Sequence, residues 1–215
     1  MRKKIALILA GSGVYDGSEI HEATMAMYAL AKNEIDYMCF APDIKQAHVI
    51  NHLTGEEMNE TRNVLVESAR LARGEIKDIR ELDVNDYDGI LIPGGFGAAK
   101  NLSDFAFKGD NMTVQPDVEK VIKAFHDAKK TIGALCIAPT IIAKVLGAKV
   151  TIGNDTETAQ AIENMGGKHE NKETTEISVD VKNKVITTPC YMLATSPYEV
   201  GEGAEAAVEA MKGMM

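Results

Sequence analysis

Thr131-Ile132-Gly133-Ala134-Leu135-Cys136-Ile137-Ala138-Pro139 decides the reading of this chain. An apolar run ends on a cysteine, and a helical pattern from Ile137 to Leu146 follows at once, stopped by Gly147. Pro139 suits the first turn of that helix, where its missing N–H costs nothing. A strand that feeds a helix is the unit of a parallel α/β sheet, and its connecting turn lies beyond the strand's carboxyl end, where such folds bind ligands.

The same pattern repeats outward from this stretch. Ile5 to Ala10 is continuously apolar, as expected of a strand buried on both faces, and a Gly-rich loop and a helix over about 18–32 follow, with Ser18 as the expected N-cap. Tyr37 to Ala41 reads as a strand ended by Pro42, and Asp88 to Pro93 as another that runs into Gly94-Gly95. Helices are expected over 59–73, 117–130, 157–165 and 200–211. A short strand is expected at 150–152, and a hairpin of 176–181 with 184–188, turned at Lys182-Asn183. Residues 43–59 show no clean period and read as an inserted loop or short hairpin. The prediction is one domain over 1–215 with that insertion: an α/β doubly wound, mostly parallel sheet with helices on both faces.

Composition narrows the function. A net charge of −9 argues against binding to nucleic-acid phosphates. No stretch approaches the ~20 apolar residues of a membrane span. Met1-Arg2-Lys3-Lys4 with the apolar run after it resembles a signal peptide, but the run is too short, and a cytoplasmic protein is expected. Three cysteines without CxxC spacing make a disulfide framework or cysteine zinc site unexpected. His48 and His52 are spaced i, i+4, yet Thr54-Gly55 and the poor periodicity argue against a helix there, and neither a metal site nor a cofactor is expected.

Cys136 is the candidate nucleophile. At a strand-to-helix turn its side chain stands at the top of the sheet, and a helix N-terminus lowers a thiol's pKa toward the reactive thiolate. The competing reading is a cysteine that merely fills space. Gly94 and Gly95 follow a strand, and their N–H groups can face a developing oxyanion; a tight turn is the plainer reading. Glu19 fits as a carboxylate complementing the helix dipole, whereas Glu22 shares the wheel side of Ile20 and Ala23 and would face inward.

Taken together with Gly11-Ser12-Gly13-Val14-Tyr15-Asp16-Gly17-Ser18-Glu19-Ile20-His21-Glu22-Ala23, Phe40-Ala41-Pro42-Asp43, Asp88 to Leu102, Gly133 to Pro139 and Thr187 to Met192, these features resemble the PfpI-like branch of the class I glutamine amidotransferase superfamily, and within it the ElbB group. The resemblance runs nearly end to end. It implies a flavodoxin-like fold, a nucleophilic Cys136, a Glu22 carboxylate bonded to the thiol, oxyanion donors at the N–H groups of Gly95 and Ile137, a homodimer, and a link to isoprenoid biosynthesis. It also carries a departure: Ile137 stands where amidotransferases and protease-like members place a histidine, and Gly153-Asn154-Asp155 occupies another position where relatives have one. No Cys–His–acid triad can be assembled, which disfavours amide and peptide hydrolysis. A cofactor-free, glyoxalase III-like conversion of a small aldehyde, glyoxal or methylglyoxal, is expected. A redox sensor built on an oxidisable Cys136 and an inert partner-binding scaffold are the alternatives.

Overall fold

The computed structural model describes residues 2–215. In chain order the elements are β1 (Lys4–Ile8), α1 (Ile20–Lys32), β2 (Asp36–Ala41), α2 (Val64–Leu71), β3 (Ile76–Asp78), β4 (Gly89–Ile92), α3 (Phe96–Lys100) and α4 (Phe105–Lys108). They continue with α5 (Pro116–Asp127), β5 (Thr131–Leu135), α6 (Pro139–Leu146), β6 (Lys149–Val150), α7 (Thr156–Asn164), β7 (Lys168–His169), β8 (Ser178–Asp180), β9 (Val185–Thr188) and α8 (Pro197–Met214). The central sheet has the order β3-β2-β1-β4-β5-β9-β8. Every pairing in it is parallel except β8 with β9, whose register sets Ser178 opposite Thr187 and Asp180 opposite Val185.

The apolar run in β1 explains the two layers. Ile5, Leu7 and Leu9 pack on one side with α1 residues Ala23, Ala26 and Leu30 and α8 residues Ala204 and Val208. Ala6, Ile8 and Ala10 pack on the other with Ile122 and Phe125 of α5 and Ile141 of α6. The side-chain period of two thus buries every residue of the run, as a strand covered on both faces requires. Strand order reverses direction between β1 and β4, so the loops leaving their carboxyl ends part toward opposite faces and leave a crevice.

Several local expectations change. Glu19, not Ser18, caps α1: its Oε2 accepts from the Glu22 N–H at 2.7 Å. The Ser18 hydroxyl instead accepts from the Ala10 N–H at 2.8 Å and fastens the loop back onto β1. The helix expected from residue 59 begins at Val64, because the Asn63 side chain caps it through the Val66 N–H. The helix expected from Ile137 begins at Pro139. β3, α3 and α4 are too short to show a period and were not legible. The strand expected at 150–152 is β6, paired with β7 in a separate two-stranded sheet. The last helix is longer than its apolar stripe, running from Pro197 to Met214 behind a Ser196/Glu199 capping box. In the segment 43–59, antiparallel bridges join Ile50 to Glu57 and, just beyond it, Lys45 to Asn63. Among the described residues no helix is long and apolar enough to cross a membrane.

Asn101 ties the loops around the crevice together. Its Nδ2 donates to the carbonyls of Ala10 (2.8 Å) and Asp16 (2.9 Å), and its Oδ1 accepts from the Ala47 N–H (2.9 Å). Asn101→Ala leaves these buried groups unpaired, so urea unfolding should show a loss of about 1–3 kcal/mol at an unchanged slope. A variant as stable as the wild type contradicts the assignment.

Candidate active site

Four strand ends build the site. β1 leads through its loop into α1, which carries Glu22; β4 leads into Gly94-Gly95; β5 ends at Cys136; β9 runs out through Pro189 into Cys190-Tyr191. Cys136 has φ +60°, a conformation that side chains other than glycine seldom adopt. Its N–H donates to the Thr188 carbonyl (3.0 Å), and the next turn is closed by Ala138 N–H donating to the Leu135 carbonyl (3.0 Å). The strand therefore stops abruptly and the thiol swings off the sheet toward α1.

Glu22 is 0% exposed and each of its oxygens is held by a main-chain donor. Gly94 N–H donates to Oε2 at 2.9 Å, and Tyr191 N–H donates to Oε1 at 3.1 Å. The carboxyl also shares a hydrogen bond with the Cys136 thiol. The structure thus brings together Cys136 and Glu22, two residues more than a hundred positions apart in the chain.

The glycines are there for contact. A Cβ on Gly94 would lie 2.4 Å from Cys136 Cβ and 2.7 Å from Glu22 Oε2. Gly95 has φ +91°, and its Cβ would lie 2.3 Å from the Glu19 nitrogen. Their N–H groups divide the work differently from expectation. Gly94 is committed to Glu22 and cannot serve an oxyanion. Gly95 N–H is directed at the Cys136 sulfur. The Ile137 N–H has no acceptor among the described residues.

The electrostatics revise the expected thiolate. Burial pushes the Cys136 thiol well above its ordinary pKa, the neighbouring Glu22 charge pushes it further, and the Gly95 N–H only partly offsets them. The α6 N-terminus does not reverse this, because the helix starts three residues later on a proline that has no N–H to offer. Glu22 is raised to about 7, chiefly by burial, with the three hydrogen bonds partly opposing it and the Glu19 charge adding to it. At neutral pH the pair is therefore a neutral thiol against a carboxyl poised to hold or release one proton.

Cys136 is 7% exposed, and that exposure opens into a cavity of about 290 Å³. Val14, Phe96, Ala99, Phe105, Ala106, Ile137 and Met192 line it, with Tyr191 and Glu19 at the carboxyl end of the site. No histidine lines it. His21 stands outside, exposed, with its Nδ1 2.7 Å from the Tyr191 hydroxyl. His48 packs edge-on to Phe107, and His52 Nε2 accepts from the Tyr15 N–H (3.2 Å), so the two do not converge. Cys190 and Tyr191, neither of which the sequence singles out as a site residue, are part of the site's frame. Cys190 is buried at φ +44° and turns the chain so that Tyr191 N–H meets Glu22. The sequence signal for it was the Thr187-Thr188-Pro189-Cys190-Tyr191-Met192 run at a strand end.

A family model for DJ-1/PfpI matches residues 3–191. The chain belongs to the DJ-1/PfpI family. It is 47% identical over 219 residues to the ES1 protein homolog, mitochondrial, of Rattus norvegicus, covering 97% of this chain and 82% of the relative. It is 48% identical over 216 residues to the glutamine amidotransferase-like class 1 domain-containing protein 3, mitochondrial, of Homo sapiens, covering 95% and 81%. The crystal structure of an isoprenoid biosynthesis protein with an amidotransferase-like domain from Ehrlichia chaffeensis superposes with a TM-score of 0.93 at 38% identity, covering 99% of both chains. The fold is thus the class I glutamine amidotransferase-like, flavodoxin-like α/β fold. The expectation of a cytoplasmic protein is overturned, since both curated relatives are named as mitochondrial proteins.

The raised Glu22 has a consequence for stability. Below about pH 4.5 the carboxyl is protonated whether the chain is folded or not; between 4.5 and about 7 only the folded protein keeps the proton, and the unfolded chain gains by ionising. Stability contributed at low pH is therefore lost as pH rises through 7. Urea titrations of wild type and Glu22→Gln should show a decline over this window in the wild type, amounting to a few kcal/mol, that is much smaller in the variant. Parallel pH profiles contradict the raised carboxyl.

Proposed function

We propose that this protein is a cofactor-free glyoxalase that converts a 2-oxoaldehyde to a 2-hydroxy acid through a covalent adduct on Cys136. The observation that carries the reading is the buried Cys136–Glu22 contact with no histidine beside it. A thiol with only a carboxyl as base is poorly equipped to expel an amine from an amide, but an aldehyde is a far better electrophile and has no leaving group to protonate.

Glu22 takes the thiol proton as the sulfur adds to the aldehyde carbon, and the proton passes to the carbonyl oxygen to give a hemithioacetal. In this reading the N–H groups of Gly95 and Ile137 are the donors that meet the oxygen as its charge develops. Glu22 then removes the hydrogen from that carbon. The electron pair moves through an enediol to the adjacent ketone; the carbon-bound proton returns to the second carbon, and the hydroxyl proton of the first carbon passes to the second oxygen as the first oxygen becomes the thioester carbonyl. The first carbon is oxidised and the second reduced, leaving a 2-hydroxy thioester on Cys136. Water cleaves this thioester, releasing the acid and restoring the thiol. A carboxyl that shuttles a proton in this way works best with a pKa near neutrality, which burial supplies here.

The redox-sensor alternative is less well supported. A thiol held neutral by burial oxidises slowly, because the thiolate is the species that reacts with peroxide. Membership of the ElbB group, carried by the motifs around Gly11, Gly94 and Cys136, and a contribution to isoprenoid biosynthesis, carried by the Ehrlichia relative's description, belong to this same proposal.

Cys136→Ser and Glu22→Gln should each lower glyoxal and methylglyoxal consumption at least ~10²-fold in a product assay for the 2-hydroxy acid. Wild-type turnover in Cys136→Ser discards the mechanism.

A further inference from the structure

Glyoxal and methylglyoxal are small beside the space next to Cys136. We infer that the substrate of this site is a neutral 2-oxoaldehyde bearing an apolar tail of about ring size or longer, an inference that rests on the glyoxalase reading. An apolar cavity of ~150 Å³ is enough to hold a benzene molecule. The cavity here is about 290 Å³ and begins at the Cys136 sulfur. Two reacting carbons at that sulfur leave most of it empty.

The lining specifies what fills the remainder. Away from the Cys136–Glu22 end the walls are Val14, Phe96, Ala99, Phe105, Ala106 and Met192. They come from three separate segments of the chain, and none carries a side-chain hydrogen-bonding group beyond the weakly accepting thioether of Met192. Water in such a space lacks the polar partners it needs, so an apolar tail displaces it at little cost. The thioether of Met192 and the two phenyl rings suit a flat or flexible hydrocarbon.

Charge narrows the class further. No basic residue lines the cavity among the described residues, while Glu19 lines it and Glu22 lies behind Cys136. A carboxylate or phosphate on the tail would lie against apolar walls whose lining offers no cation; Lys100, whose Nζ is 4.9 Å from the Phe96 ring centroid, stands outside that lining. This excludes anionic aldehydes and leaves neutral ones. Tail burial contributes to kcat/KM because it holds the aldehyde against the sulfur, and each added methylene should raise kcat/KM about fourfold until the cavity is full.

The test compares kcat/KM of the purified wild-type chain for glyoxal, methylglyoxal, hexylglyoxal, phenylglyoxal and a 2-oxoaldehyde of hexyl length ending in a carboxylate, with Cys136→Ser as the control. Hexylglyoxal and phenylglyoxal are expected to exceed glyoxal by at least ~10²-fold, and the carboxylate-ended compound to lose that advantage. Ala106 is exposed at the cavity wall, so Ala106→Trp fills the space without entering the core; it should keep the wild-type melting temperature and lower the hexylglyoxal-to-glyoxal ratio at least tenfold. Cys136-dependent turnover that is flat across the series, or an Ala106→Trp variant with an unchanged ratio, overturns the apolar-tail inference and leaves the glyoxalase reading standing. No Cys136-dependent consumption of any compound overturns both.

Discussion

A carboxyl group buried away from solvent, held between two backbone N–H groups and one thiol, is the interaction on which this structure turns. Burying Glu22 is costly when it is ionised, and the fold meets that cost with donors drawn from two different strand ends, Gly94 and Tyr191. The hydrogen bonds are too few to restore an ordinary carboxylate, and the outcome is a group that titrates near neutrality. The same burial keeps Cys136 protonated. Neither residue is reactive in the usual sense of a preformed anion, but together they hold one transferable proton at the floor of an apolar cavity.

Much of the surrounding architecture serves this contact. Cys136 and Cys190 both follow adjacent parallel strands and both take up positive φ, so each strand end turns sharply and delivers its group inward: a thiol from one, a backbone N–H from the other. Gly94 lets the β4 loop come against Cys136 and Glu22, and Gly95 lets it come against the backbone of Gly17 and Glu19 at the start of α1. Asn101 and Ser18 hold the loop after β1, whose Val14 forms part of the cavity wall. Backbone strain at Cys136 is held by its N–H bond to Thr188 on the neighbouring strand, and at Cys190 by the Leu193 and Ala194 N–H groups that donate to its carbonyl.

The strand-helix alternation was plain in the sequence because a doubly buried strand leaves a continuous apolar run, and Ile5 to Ala10 and Thr131 to Cys136 are such runs. The inward placement of Glu22 was legible beside Ala23, which is buried with it, whereas Ile20, expected on the same side, is exposed. The cap on α1 was not, since Ser18 is the preferred cap type but a tertiary bond to the Ala10 N–H draws it away and leaves Glu19 to cap the helix. The role of Tyr191 was hidden for a different reason: it acts through its N–H, which every residue but proline possesses. The ionisation of Cys136 was misjudged because sequence reports proximity to a helix start but not the depth of burial, and burial dominates here.

The central claim is that Glu22 titrates near neutral pH against a Cys136 that stays protonated. Infrared difference spectra of wild type against Glu22→Gln, taken across a pH titration, test it most directly. The account predicts a protonated-carboxyl band in the wild type that persists well above pH 4.5, disappears as pH passes through about 7, and is absent from the variant, while the Cys136 S–H band remains. A Glu22 carboxylate already ionised at pH 4.5 to 5, or a thiolate in its place at neutrality, would contradict it.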